Sequence, residues 1–403
     1  MIPFSIAWLF MTTTACLPTV TPEKVSLDTA VSVVLEPESD APAGNVTDTA
    51  TGESSVDSPE HEAEPEPEAE VEHYRMAIVA GLSRDYSHGA VSTIDLEDWT
   101  INDSIVPTSG DVVVSASDDI VFVINRLNTD TIQVFSGPLT VPDLDLGMPD
   151  LSNPQDAVVC NDEYWVTLHN ASVIPRYNAL GLRTGETDIS EWTGTDGHAE
   201  AASIVLDADG SHIHVALQQL KQDDGWTSDG GVVVTISCST GAVVGVQDVG
   251  PSPSIVDGPS IDTLGYKTGL YGALDGEVGT IMTRTAERVV HATESDVGGD
   301  IGAFAYFDNH LVYASSDADW VFTVHCLNLA TGETSQMGPL NQYVSDIASD
   351  THGRFWLSFR PGWASSTVEG VGVEIIDPSS CTSLIPSGQP LQFTLPPSSL
   401  AFR

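Results

Sequence analysis

Basic side chains are scarce in this chain. Lysine and arginine total 13 against 58 aspartates and glutamates, a formal net charge of -45. Only Lys24, Lys221 and Lys267 are lysines. So acidic a surface repels nucleic acid and anionic lipid headgroups, which excludes polyanions as partners. It stays hydrated and soluble at high salt, where its self-repulsion is screened. A salty habitat and a generally acidic exported protein both fit. The sequence also lacks a G-x-S-x-G nucleophile elbow, an H-E-x-x-H pair, a phosphate loop and a dinucleotide fingerprint. None of its five cysteines forms a C-x-x-C pair, which argues against a zinc ribbon or a thioredoxin-like site.

What is present divides the chain into three. Residues 1–15 hold an apolar run from Met1 to Met11 followed by small residues, the pattern of a secretory signal, and too short to span a bilayer afterwards. Ala15-Cys16 resembles the bacterial lipobox, which implies lipidation at Cys16. The match departs from the pattern in having Thr13 for the usual Leu and no basic residue before the apolar run. Residues 16–75 form an acidic Pro/Glu-rich linker, densest from Glu60 to Glu70, with almost nothing to bury. It is expected to be a disordered tether. Residues 76–403 contain enough apolar sequence for a real core. Placement at the cell envelope, as an outer-membrane or surface lipoprotein, or free in the periplasm or medium, is the expected localisation.

The folded part repeats. Aligning innermost strands on Val113, Val158, Ile204, Ile261, Ala303, Ile347 and Leu400 gives gaps of 45, 46, 57, 42, 44 and 53 residues. Each unit has a polar turn followed by an apolar second strand, as in Val121-Phe122-Val123-Ile124, Tyr164 to Leu168, Ile213 to Leu217 and Phe355 to Phe359. Third strands read Val91-Ser92-Thr93-Ile94-Asp95, Val233 to Ser237 and Val373 to Asp377. Thr-Gly turns then lead to an outer strand. The last unit is split: the C-terminus supplies Ser398 to Phe402, and residues 76–106 supply the other three strands. This predicts an all-β, seven-bladed β-propeller closed by pairing of its N- and C-terminal strands, so that no sheet edge stays open.

Val121 to Asn125, followed by Thr129-Asp130-Thr131-Ile132-Gln133-Val134-Phe135, resembles the YVTN repeat of lactonase-like seven-bladed propellers. That resemblance implies the fold and admits lactone hydrolases, extracellular surface proteins and binding proteins. The Gly-His and Trp-Asp signature of WD40 propellers is missing.

In a propeller, the loops joining second to third strands share a face with the loops between blades. Both sets are long here, which marks that face as the binding side. Polar residues at second-strand ends would ring the channel mouth: Arg84-Asp85, Asn125-Arg126, His169-Asn170, Gln218-Gln219, Asp275, Ser316-Asp317 and Arg360. Tyr86, Trp192, Trp226, Trp320 and Trp363 lie in the same loops, where they suit a sugar or protein ligand, or packing between blades. Three further groups carry possible chemistry. His212-x-His214 puts two imidazoles on one strand face, without an evident third metal ligand. Asp207-x-Asp209-Gly210 lacks the length and downstream Glu of a calcium loop and reads as a turn. Asp196-Gly197-His198-Ala199-Glu200 offers acid, imidazole and acid in one inter-blade loop.

Asp223, Asp224 and Asp229 form a candidate Ca2+ cluster, the one cofactor to consider. In an exported protein, Cys160, Cys238, Cys326 and Cys381 form two disulfides, in any of three connectivities, or stay buried thiols. The expected function is a monomeric, non-enzymatic module that binds a protein or carbohydrate ligand and touches the membrane only through its lipid. The alternatives are a metal-dependent lactonase-like hydrolase and a structural envelope protein.

Overall fold

Short runs of Val, Ile, Ala and aromatic residues, broken by Asp-, Asn- and Gly-rich turns, favour strands joined by tight hairpins. The computed structural model describes residues 75–117, 119–228, 230–362 and 369–403. Residues 1–74, which include the expected signal, Cys16 and the acidic Pro/Glu-rich stretch, and also Asp118, Asp229, Trp363 and the side chain of Asp223 lie outside that description.

The described chain folds into seven four-stranded antiparallel sheets. The inner strands of blades one to six are Val112–Ser117, Pro154–Cys160, Ala201–Leu206, Ser254–Asp257, Asp300–Phe307 and Gln342–Ser349. Blade seven takes its inner strand, Pro397–Phe402, from the C-terminus and its other three, Met76–Leu82, Gly89–Asp95 and Ile101–Thr108, from the start of the described chain. Val79 pairs with Leu400 and Ile78 with Ala401, so the ring closes as the repeat predicts. Arg403 completes the clasp: its backbone pairs with Met76, and its guanidinium donates to the carbonyls of Ser136 and Gly137 in blade one.

Second strands are buried along most of their length because each lies between two neighbouring blades. Outer strands such as Val243–Asp248 alternate between half-buried and exposed. The core is accordingly segmented into apolar clusters, each spanning one blade interface. Trp165, Ile213 and Val234 pack between blades two and three; Phe355, Leu357 and Val324 pack between five and six. Small polar side chains stitch the inner strands together around the channel. Ser399 Oγ accepts from Val114 N, Ser117 Oγ from Val159 N, Asp156 Oδ2 from Ile204 N, Ser203 Oγ from Ile255 N, and Asp346 Oδ2 from Leu400 N.

Two disulfides join neighbouring blades. Cys160–Cys238 links blades two and three, and Cys326–Cys381 links five and six, with Cα atoms 5.8 and 5.7 Å apart. All four sulfurs lie toward the tight-turn end, where they crosslink elements that no sheet hydrogen bond connects.

Blade four departs from the sequence reading. Ile261 is not in an inner strand; it is an exposed turn residue between Ser254–Asp257 and Thr263–Lys267. The inner strand precedes it and is only four residues long, too short for its apolar pattern to stand out. The second strand of that blade ends at Lys267, so Lys267, and not Asp275, occupies the channel-mouth position.

Candidate functional site

The loops between second and third strands and those between blades form one face, and the hairpin turns form the other. On the long-loop face, most of the polar residues expected to ring the mouth hold the loops in shape. Asp85 accepts hydrogen bonds from the backbone N–H and hydroxyl of Ser87, which hold its carboxyl at about 2. Asn125 Oδ1 accepts from Ser109 N at 2.9 Å. Arg126 pairs with Asp111 and reaches Gln155 Oε1 at 3.0 Å, tying blade one to blade two. Asp317 accepts from the backbone of Asp319 and Val321, and Asp275 from Leu270 N. The backbones of these irregular loops leave N–H groups without sheet partners, and Asx-type side chains satisfy them.

Other expected residues do converge, at two places. Between blades two and three, His169 Nδ1 lies 3.0 Å from Asn170 Oδ1, and Gln222 donates to that oxygen at 3.3 Å. The Trp226 ring is 6.4 Å from the His169 ring. Gln219 donates to the Trp192 carbonyl, and Gln218 to that of Pro253. Between blades six and seven, the Arg360 guanidinium sits 5.3 Å over the Tyr86 ring, at a cavity of about 100 Å3 lined also by Arg84 and Tyr343. Trp363 lies outside the described residues.

The acid–imidazole–acid loop adds a titratable group to the first place. Glu200 is fully buried; its Oε2 accepts from Leu220 N at 3.0 Å and its Oε1 has no partner. Burial and the Asp196 carboxylate beside it push Glu200 up to about 8, so it is protonated at neutral pH. Asp196 Oδ2 and His198 Nδ1 are likewise buried without partners. Burial drives His169 below the usual imidazole range, which keeps that ring neutral. A protonated acid, a second acid and the neutral His169 ring are thus gathered at the rim of one inter-blade loop, with His198 beside them.

The channel wall carries groups that the repeat alignment did not single out. Asp156, Asp257 and Asp346 stand on the inner strands of blades two, four and six. Asp156 and Asp346 are half-buried and Asp257 is exposed at its strand end, yet the surrounding protein still desolvates each carboxyl. That desolvation raises Asp156 to about 6, Asp346 to about 7, and Asp257 above the usual range. At the mouth, Glu294 opens a single helical turn and accepts from Gly276 N and Ile301 N. Burial lowers Lys267 and raises Glu294, while their mutual attraction opposes both shifts. A one-residue signal per inner strand is hidden in sequence by the bulges that shift register beside Asp156 and Asp346.

The exposed aromatics give the face its character. Tyr86, Trp226, Tyr271 and Trp320 are 47, 50, 64 and 40 % exposed, and they are the exposed aromatics among the described residues. Each lies in a second-to-third-strand loop, of blades seven, three, four and five respectively. Tyr271 and Trp320 stack with ring centroids 4.8 Å apart. Tyr86, Trp226 and Trp320 have left-handed backbone, with φ of 56, 65 and 60°, which bulky residues rarely adopt. Trp192 does not join them; it packs half-buried against the core of blades two and three. Of the candidate calcium cluster, Asp224 accepts from Thr227 Oγ1, and Asp229 lies outside the description. The three-donor group found among the described residues is Asp207, Asp209 and His212, on the opposite face.

No protein-family model matches the chain, and no curated protein matches it significantly. Solved structures match in fold. A Bacteroides uniformis protein proposed to be a 6-phosphogluconolactonase superposes with a TM-score of 0.57 at 10% identity, over 82% of this chain and 100% of its own. Hydrazine synthase of Kuenenia stuttgartiensis gives 0.53 at 12% identity, over 74% and 94%. The Cps50 (Swd1) β-propeller domain of Myceliophteria thermophila gives 0.52 at 9%, over 75% and 96%. Likeness at these identities is likeness of fold. The chain is a seven-bladed β-propeller, the architecture that its YVTN-like repeats imply.

Proposed function

We propose that this protein is an exported, lipid-anchored binding module of the cell envelope. Cys16 carries the lipid, residues 16–75 hold the propeller away from the membrane, and the long-loop face binds neutral carbohydrate. One observation carries the reading: the exposed aromatics, Tyr86, Trp226, Tyr271 and Trp320, share one face. Exposed aromatic rings bring large apolar area with little side-chain entropy to lose, and their faces match the C–H faces of pyranose rings. The net charge of -45 disfavours anionic polysaccharide.

The test is a glycan array probed with the full chain, followed by affinity measurements on each hit. Trp226→Ala and the Tyr271→Ala/Trp320→Ala pair should each weaken binding at least about tenfold, since stacked aromatic contacts are worth on the order of 1–3 kcal/mol. A blank array, or alanine variants that bind like the parent, refutes the carbohydrate reading.

A second reading, a lactone-type hydrolase, is favoured by the protonated Glu200 beside Asp196, with His169 and His198 close by. It predicts turnover of simple lactones by the full chain that Glu200→Gln abolishes. Absence of turnover with and without added divalent metal would dispose of it.

A further inference from the structure

On the tight-turn face, blades three and four part to leave a cleft of about 670 Å3. One wall is blade three: the turn from Asp207, His212 and His214 on the second strand, and Val244 to Gln247 on the outer strand. The other is blade four, through Ile261, Leu264 and the turn Thr283 to Ala286. The carboxylates of Asp207 and Asp209 and the imidazole of His212 bring donor atoms within 4.8 Å of one another at this cleft. Asp207 Oδ2 is 3.0 Å from His212 Nδ1. Two donors each about 2.1 Å from a shared ion stand roughly 3.0–3.4 Å apart at right-angle to tetrahedral geometry. The turn itself aims the acids: Ser211 N donates to Oδ1 of both Asp207 and Asp209, and His212 N donates to Asp207 Oδ1.

A separate observation points to a ligand in the cleft. His214, on the same strand face as His212, is 3% exposed and lines the cleft. Its Nδ1 is 3.1 Å from Thr235 Oγ1, and its Nε2 has no partner. A buried ring nitrogen with nothing to bond is unfavourable, and native folds rarely keep one without a ligand or water to meet it.

We propose that Asp207, Asp209 and His212 bind a divalent transition-metal ion of the zinc class, with His214 Nε2 facing a water or ligand group on the ion's open side. An imidazole among the donors suits zinc, whereas calcium and magnesium take oxygen ligands. Three protein ligands leave a coordination position free, and it opens onto a cavity large enough for a small organic ligand. Neither half of the constellation is informative alone in the sequence. Asp207-x-Asp209-Gly210 reads as a turn, and His212-x-His214 has no third ligand until the hairpin folds the acids onto the strand.

The experiment is calorimetric titration of the full chain with zinc chloride after chelator treatment and dialysis. The parent should take up one equivalent tightly, with calcium failing to compete. Asp209→Asn and His212→Gln should each weaken that equivalent at least tenfold, and cobalt should give the parent a visible d–d band that His212→Gln lacks. His214→Gln should bind zinc within about threefold of the parent. Circular dichroism of the metal-free variants checks that each is folded. Because Asp209 is exposed, its variant keeps the test open if His212→Gln misfolds. Absence of a stoichiometric equivalent, or uptake that survives Asp209→Asn and His212→Gln unchanged, overturns the site. Zinc lost as completely in His214→Gln as in His212→Gln overturns the ligand assignment.

Discussion

Replacing Glu200 by glutamine should stabilise the protein, and only at higher pH. The carboxyl titrates at about 8 in the fold, against 4.5 for the free side chain. A raised acid pKa means that the folded state holds a proton which the unfolded chain releases between those values. The associated stability is therefore fully present below pH 4.5 and is lost as pH rises through about 8. Integrated over that window the loss is at most about 4 kcal/mol, and about 2–4 kcal/mol once water reaching the loop is allowed for. Glutamine mimics the protonated acid at every pH: its oxygen accepts from Leu220 N, as Glu200 Oε2 does, and its amide faces Asp196. The parent and Glu200→Gln proteins should melt together near pH 4.5. At pH 8 the variant should melt higher by roughly 3–6 °C, given an unfolding entropy near 2 cal/mol/K per residue. A residual decline toward alkaline pH should remain from Asp156 and Asp346, which titrate at about 6 and 7. Scanning calorimetry at the two pH values decides it. A variant that is less stable at pH 8, or equally shifted at both pH values, refutes the account of this loop.

Other expectations concern the ring. Replacing both Cys160 and Cys238 by serine frees a 78-residue loop and should cost up to about 4 kcal/mol, read as a drop in denaturation midpoint. A Cβ on Gly265 would lie 2.5 Å from the Tyr306 ring, whose hydroxyl donates to the Gly279 carbonyl. Gly265→Ala should therefore cost roughly 1–3 kcal/mol in the same assay, and a neutral result would mean that blades four and five pack more loosely than described. Deleting residues 397–403 removes the inner strand of blade seven and bares the edge of Met76–Leu82. The truncated chain should aggregate or elute as oligomers in size-exclusion chromatography, and a stable monomer would argue against closure as the source of order.

Architecture was legible in the sequence because it is written many times. Polar turn, apolar strand and x-x-V-x-x-I recur in register, so Val113, Val158, Ile204 and Leu400 all fall on inner strands. Blade four resisted because its inner strand is four residues long and Ile261 offered a better apolar anchor from an exposed turn. The site was legible only as a face. Asn125, Arg126 and Asp317 sit where expected, yet their hydrogen-bonding capacity is taken up by loop backbone and by neighbouring blades. Which polar groups remain available depends on loop geometry, which no local pattern encodes. Asp156, Asp257 and Asp346 escaped notice for a related reason: one carboxylate per strand is meaningful only once the ring brings three together. The disulfide pairing, too, follows from which blades are neighbours, and spacing alone left three connectivities open.

The central claim is that ligand meets this propeller on the face that carries its exposed aromatics. Hydroxyl-radical footprinting of the full chain, with and without a bound oligosaccharide, reads that face residue by residue. Tyr86, Trp226, Tyr271 and Trp320 should lose reactivity on binding, while Leu180, Leu182 and Ile261, exposed on the opposite turns, should not change. Protection of the turn residues with the four aromatics left reactive would contradict it.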